Sequence, residues 1–596
     1  MRNRIDIIYN IILKPIKENI LFFTFIYILG ISTTIIECIV LGYKFPKFNI
    51  FSCLFDLYAI LAITTIIKSR KFRNIILVIL AILLYSISII NTFCVEIFHA
   101  KIGPEILNVI LETNQREASE FIDKYINSKI LLSYTAIIVV IALFHIYSTF
   151  KKQTLFCKIQ FNNLTKDTYI FILKTISILF IVGSCILCFQ SRYNIIQLVN
   201  AKTVSEADKY IDNYSQNNPL NNLIFAVKMR ILANESLTDL IKTQQNTQID
   251  NCDFLSPNII LIIGESYIRC HSQLYGYPLN TTPEQKKWEK GNNEGQMIIF
   301  NDVISPHNLT SSVFKNIFSL KSIDDTNEWA SYPLFPALFK KAGYNVTFIT
   351  NQFVESLNTD IFNFSGGLFL NEKELSKVQF CHRNTQAHQY DEGLLQDYDS
   401  LQQFNKKNNL IIFHLAGQHI DFYKRSPQNW KKFHPKHYEH RKDLNNSEKQ
   451  LVADYDNATL YNDHILGSII NRFIGCDAII IHFPDHGEEC YDGLHRMGRI
   501  PGDNYQPEVL RQEYQIPFWI WVSKEYNKNH PEVVSRIINA KNKPYMTDDI
   551  SHMLLYLSGI KCKEYVEQKN LLSNSYNKNR HRLINGKIDF DMIVNK

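Results

Sequence analysis

Apolar residues are not spread evenly along this chain. Residues 1 to about 192 are dominated by Ile, Leu, Phe and Val, and the remainder is polar and mixed, although the 596 residues average 46% hydrophobic and 20% charged. Five apolar runs recur near residues 20–42, 51–67, 75–95, 130–149 and 169–189. Each approaches the roughly 20 apolar residues that cross a bilayer as a helix, the second being the shortest. A cleaved signal peptide does not explain them, because the runs keep returning.

Lys and Arg orient the runs. Arg2, Arg4, Lys14 and Lys17 precede the first, Lys68, Arg70, Lys71 and Arg73 follow the second, and Lys151, Lys152, Lys158 and Lys166 follow the fourth. All three clusters share one side if the N-terminus is cytoplasmic, and five crossings then carry everything after about residue 192 outside the cytoplasm. The net charge of +6 owes much to these loops, so it does not indicate nucleic-acid binding. The expected organisation is a transmembrane domain over 1–192, a connector over 193–255, helical around 204–242, and a soluble domain over 256–596. Residues 96–129 form the longest extracytoplasmic loop of the membrane part and include Glu112-Thr113-Asn114-Gln115-Arg116-Glu117. Such a segment suits an interfacial helix lying on the membrane, or a contact to lipid headgroups.

Of 12 cysteines, Cys252, Cys270, Cys381, Cys476, Cys490 and Cys562 fall in the soluble part. An oxidising compartment permits disulfides among them, but sequence does not choose the pairing.

Beyond the connector, strand-like runs at 258–264, 297–303, 345–350, 409–414, 478–483 and 516–522 alternate with helical stretches at 311–320, 333–342, 391–406 and 450–474. That alternation predicts an α/β domain with a mostly parallel central sheet. In such sheets ligands bind outside the carboxyl ends of the strands. Two acidic clusters fall there. Gly264-Glu265-Ser266 follows Ile259-Ile260-Leu261-Ile262-Ile263, and Asp485-His486-Gly487-Glu488-Glu489 follows Ala478-Ile479-Ile480-Ile481-His482-Phe483. A Glu from one strand end and an Asp-His pair from another can hold a cation such as zinc. Gly264 and Gly487 are expected to let the backbone turn. Alone, Gly-Glu-Ser equally describes a helix N-terminal Glu.

After the strand near 297–303 the chain reads Ser305-Pro306-His307-Asn308-Leu309-Thr310-Ser311-Ser312. Thr310 sits where a helix starts, a place that binds phosphate and where a Thr ordinarily caps the helix. Beside a metal ion the same hydroxyl becomes a nucleophile. His414 ends a strand, where core packing is the ordinary role, whereas His419 follows Gly417 in a loop and is the better candidate for a substrate oxygen. Lys424 and Arg425 suit a phosphate or a solvated face. His495, in Gly493-Leu494-His495-Arg496, by itself reads as a surface histidine.

These residues resemble the bacterial phosphoethanolamine transferases, membrane-anchored members of the alkaline phosphatase/sulfatase superfamily. The resemblance rests on Gly264-Glu265-Ser266 with Leu274-Tyr275-Gly276-Tyr277-Pro278 and Thr281-Thr282-Pro283, on His414-Leu415-Ala416-Gly417-Gln418-His419 with Tyr423-Lys424-Arg425, on Tyr455-Asp456-Asn457, and on Asp485-His486-Gly487-Glu488-Glu489. It implies an alkaline phosphatase-like (sulfatase) domain behind a five-helix bundle in the bacterial inner membrane, with the catalytic domain in the periplasm. It implies zinc held by Glu265, Thr310, Asp485 and His486, with Thr310 as nucleophile. His419 and His495 match substrate-binding positions, and Thr113, Asn114 and Glu117 resemble contacts to the lipid donor. The implied reaction passes phosphoethanolamine from phosphatidylethanolamine, through a phosphothreonine-type intermediate, to lipopolysaccharide, by a monomer working beside membrane lipid.

One departure bears on the acceptor. The lipid A-modifying branch carries a Cys-Gly-Thr type nucleophile segment; Ser305-Pro306-His307-Asn308-Leu309-Thr310 looks more like the branch acting on core heptose. The alternatives are lipid A as acceptor, phosphoglycerol transfer, modification of a periplasmic glucan, or phosphate- or sulfate-ester hydrolysis. A sulfatase would carry Cys/Ser-x-Pro-x-Arg, which the Thr310 segment lacks. A non-enzymatic membrane scaffold fits least, because every expected ligand is present.

Overall fold

The computed structural model describes residues 2–594 apart from 43, 47–48, 99–100, 104–132, 152–165, 204–205, 208–218, 353–366, 405, 420 and 500–505. Thr113, Asn114 and Glu117 therefore lie outside the described residues. The chain divides into two compact units, Met1–Ser236 and Leu237–Lys596.

In the first unit, helices Ile20–Leu41, Asn49–Thr65, Arg70–Phe98, Tyr134–Lys151 and Lys166–Asn200 overlap the expected runs. Among the described residues three, Ile20–Leu41, Arg70–Glu96 and Lys174–Asn200, are long and apolar enough to cross a membrane; Asn49–Thr65 and Tyr134–Thr149 are shorter. Leu29, Leu54, Leu57, Leu61 and Ile138 pack inside, while Ile79, Ile82, Val140 and Ile186 are exposed. An outward apolar face of this kind suits lipid, which is as apolar as the side chains that meet it. An amphipathic helix, Arg2–Glu18, precedes them. The expected connector helix appears as Pro219–Asn246.

The second unit is built on a seven-stranded sheet of β1 (Asn258–Gly264), β2 (Gly295–Phe300), β3 (Asn345–Thr350), β4 (His382–Arg383), β5 (Asn409–His414), β6 (Ala478–Pro484) and β7 (Phe518–Ser523). Their order is β2-β7-β6-β1-β5-β3-β4. The β7 strand runs antiparallel to both neighbours, and the other pairings are parallel. The sheet is therefore mixed and mostly parallel, as expected. Helices cover both faces, so β1 is apolar from Ile259 to Ile263. Its Ile259, Leu261 and Ile263 enter one core, and Ile260 and Ile262 enter the core on the other face. The six soluble-part cysteines are all free thiols.

Two elements carry the site's remaining parts. Helix α1 (Thr310–Phe318) follows β2, and helix α2 (Asn446–Phe473) precedes β6. A capping box in which Asn445 and Glu448 exchange hydrogen bonds starts α2, which satisfies two of the helix's free N–H groups.

Candidate active site

Register brings the two acidic clusters together. The β1 and β6 strands are parallel neighbours with Gly264 opposite Pro484, so Glu265 and Asp485 leave the sheet side by side. The Asp485 N–H closes the ladder onto Gly264 O at 3.0 Å. The turn after β1 falls on Ser266, at φ +53°, and not on Gly264 as expected. Gly264 instead answers a space requirement, since a Cβ there would lie 3.3 Å from His482 Nε2. Gly487 does likewise: its Cβ would meet Gln512 O at 2.0 Å. Both glycines permit close approach and neither supplies the turn.

Glu265, Asp485 and His486 are fully buried, and one ligand atom from each lies within 4.8 Å of the others. Thr310 joins them from the start of α1. Its Oγ1 is 3.2 Å from Glu265 Oε2 and 3.2 Å from His486 Nε2. The helix cap is Leu309, with no side-chain capping bond. The Thr310 hydroxyl therefore does not cap α1; it faces the acidic cluster at the positive end of the helix.

The donor set fits a cation. His486 Nδ1 is 2.8 Å from Gly487 O, an acceptor only, so Nδ1 carries the hydrogen. Arg499 Nη1, which has only hydrogens to offer, is 2.6 Å from Nε2, so Nε2 presents its lone pair. Asp485 Oδ2 is buried and accepts no hydrogen bond from the described residues, yet it lies 3.1 Å from that same Nε2. Two lone pairs held face to face without a proton are what a metal ion joins, and a Glu/Asp/His/Thr set suits zinc. The carboxylates draw positive charge to this point, as a proton on His486 or as a metal ion. Burial and Arg499 oppose a proton on His486, but Asp485 and Glu265 outweigh them and raise its pKa. Burial alone would raise the Asp485 carboxyl; His486 and Arg499 hold it below the usual range.

Neighbouring loops fix the ligands. Ser266 Oγ donates to Glu265 Oε1 at 2.6 Å, and Ser266 N–H donates to Asp485 Oδ1 at 3.1 Å. Gln352, just past β3, donates to Glu265 Oε2 at 3.0 Å. Sequence reasoning passed over Gln352, though it obeys the same strand-end rule. Ser305 Oγ donates to Asp485 O at 2.5 Å, tying the segment before α1 to the ligand loop. His414 is buried beside Thr350 Oγ1 at 3.0 Å, the packing role expected of it. His419 is half-buried in a loop whose Gln418 N–H bonds Glu265 O at 3.1 Å. Gly417 makes that approach possible, with φ +43° and a would-be Cβ 3.1 Å from Glu265 N and O. His495 is exposed and faces Glu448 at 3.2 Å.

A second buried imidazole lies close by in sequence. His271 Nδ1 is 2.5 Å from Asp456 Oδ1, and Nε2 is 2.7 Å from Asp492 Oδ2. Asp456 also accepts from the hydroxyls of Tyr277 and Tyr438, and Arg441 donates to Asp492. Cys270 Sγ stands 3.8 Å from Asp492 Oδ2. Both imidazole nitrogens face carboxylates, so a doubly protonated ring satisfies the group. It joins the loop after Glu265 to the loop after His486.

Residues 257–560 match the protein family described as Sulfatase. The chain is 26% identical over 522 residues to the phosphoethanolamine transferase EptC of Escherichia coli O18:K1:H7, covering 84% of this chain and 83% of that protein. It is 25% identical over 497 residues to the phosphoethanolamine transferase CptA of Salmonella typhimurium, covering 83% and 81%. Among solved structures, the integral membrane protein lipooligosaccharide phosphoethanolamine transferase A (EptA) of Neisseria meningitidis superposes with a TM-score of 0.52 at 18% identity, covering 92% of this chain and 98% of that one. That likeness extends the shared fold across the apolar helices and the alkaline phosphatase-like domain.

Proposed function

The chain belongs to the Sulfatase family, and from that premise we propose that it transfers phosphoethanolamine from phosphatidylethanolamine to lipopolysaccharide, with core heptose as the acceptor. The observation that carries this reading is Thr310 Oγ1, 3.2 Å from both Glu265 Oε2 and His486 Nε2 at the head of α1. Similarity to EptC and CptA along more than four-fifths of the chain supports the same reaction class, and the nucleophile segment supports the core branch.

Glu265, Thr310, Asp485 and His486 hold zinc in this reading. Zinc, when bound, supplies Lewis-acid neutralisation and lowers the pKa of a neighbouring hydroxyl. Thr310 passes its proton toward the Glu265 carboxylate. Its Oγ1 forms a bond to phosphorus while the bond from phosphorus to the glycerol oxygen breaks, and diacylglycerol leaves with a proton. The oxygen of an acceptor hydroxyl then bonds to phosphorus as the bond from phosphorus to Thr310 Oγ1 breaks, and the acceptor's proton returns to Thr310. The free N–H groups and dipole at the start of α1 favour the anionic phosphoryl group at that position. His419 and His495 bind substrate, and Thr113, Asn114 and Glu117 contact the donor headgroup. The protein sits in the inner membrane as a multi-pass monomer, with residues 1–192 as the anchor, 193–255 as the connector and 256–596 as the periplasmic catalytic domain.

The test is direct. Purified chain in detergent, given phosphatidylethanolamine, should release diacylglycerol and gain one phosphoethanolamine on the peptide containing Thr310. Thr310→Ala should do neither. Label on another residue, with Thr310 unmodified, would refute the assignment.

A further inference from the structure

Arg499 stands at the nucleophile. Its side chain is 18% exposed, and its Nε lies 3.2 Å from Glu488 Oε2. Its Nη1 donates to Asn308 O and reaches His486 Nε2 at 2.6 Å. His486 Nε2 is in turn 3.2 Å from Thr310 Oγ1. Asn308 precedes Thr310 by two residues and Glu488 follows His486 by two, so the guanidinium is held between the nucleophile's loop and the ligand loop. Burial opposes its charge, but Glu488, Glu265 and Asp485 more than restore it.

One lone pair on His486 cannot serve both a metal ion and an Nη1–H. With a metal on Nε2, the guanidinium would give up that contact and keep Glu488 and Asn308 O, which would free an Nη1–H beside the Thr310 loop. A phosphodiester attacked by Thr310 places two non-bridging oxygens in the same region, and their charge is what the site must stabilise. A planar guanidinium meets a pair of phosphoryl oxygens with parallel N–H bonds, which an ammonium cannot.

We propose that Arg499 is a catalytic residue whose guanidinium donates hydrogen bonds to the non-bridging oxygens of the phosphoryl group passing to and from Thr310. The proposal rests on the transferase reading above and adds to it a residue that bears directly on the transferred group.

The test compares wild type, Arg499→Lys and Arg499→Ala as full chains in detergent. Diacylglycerol release from phosphatidylethanolamine gives kcat and KM, and elemental analysis gives bound zinc. Arg499→Ala should lose about 10²–10³-fold in kcat, the effect of removing one preorganised donor, with KM and zinc content little changed. Arg499→Lys should recover only part of the loss, and added guanidinium ion should partly restore Arg499→Ala. An unchanged kcat overturns the proposal. So does a loss that tracks zinc content and resists guanidinium, which would make Arg499 a support for the metal site. An inactive wild type would instead overturn the transferase reading, and this proposal with it.

Discussion

Two buried imidazoles lie in the same domain, each beside carboxylates, and they are finished differently. His271 has a carboxylate at each nitrogen, 2.5 and 2.7 Å away, and the whole group closes on protons it already owns. His486 spends Nδ1 on a backbone carbonyl and turns a lone pair toward Asp485, Glu265 and Thr310. Residue type does not separate the two; saturation does. A satisfied network is a brace, whereas a set of buried lone pairs without protons is a place for a cation and for chemistry.

The comparison can be broken at several points. The largest effect falls on the proposed nucleophile: Thr310→Ala should cut transfer on the order of 10⁴-fold or more, as loss of a nucleophile does elsewhere, while circular dichroism and zinc content stay near wild type. Next is Asp485→Ala, which should leave the protein folded without stoichiometric zinc by elemental analysis; full zinc retention would contradict the ligand assignment. His271→Ala should do the reverse. It leaves buried Asp456 with only the hydroxyls of Tyr277 and Tyr438, at a cost of about 3–5 kcal/mol for a broken buried pair, seen as a lower melting temperature of zinc-loaded protein. A variant as stable as wild type would remove the brace.

The smallest effects are those of pH, and they run in opposite directions. Burial opposes a proton on His271, but Tyr277, Asp456 and Asp492 hold its pKa well above 6.5. A group with a raised folded pKa contributes stability that is full below the unfolded value and is lost as pH rises through the folded one. The brace should therefore weaken on the alkaline side. At His486 protons compete with metal, and its raised pKa starts that competition above 6.5. Zinc should leave as pH falls. Titrations of melting temperature and of bound zinc check both signs, and parallel curves would mean the two imidazoles are not distinct.

Much of this was legible in the sequence because fully buried strands are continuous apolar runs. The β1, β3 and β5 strands stand at their expected residues, and β6 extends one residue further, to Pro484. The strand-end rule then found Glu265, Asp485 and His486. What remained hidden depends on long-range pairing. The β6–β1 register puts Asp485 beside Glu265, and nothing local states it. The partners of His271 are 185 and 221 residues away. Local rules make Thr310 a cap, and only the acidic cluster opposite it says otherwise. Arg499 follows a glycine in a loop with no periodicity, and composition offered no signal for it.

The central claim is tested most directly by mass spectrometry of lipopolysaccharide, separated into lipid A and core, from cells expressing this chain or its Thr310→Ala variant. The account predicts a phosphoethanolamine increment on the core fraction that the variant lacks. An increment that survives Thr310→Ala, or none on either fraction with wild-type protein present, would contradict it.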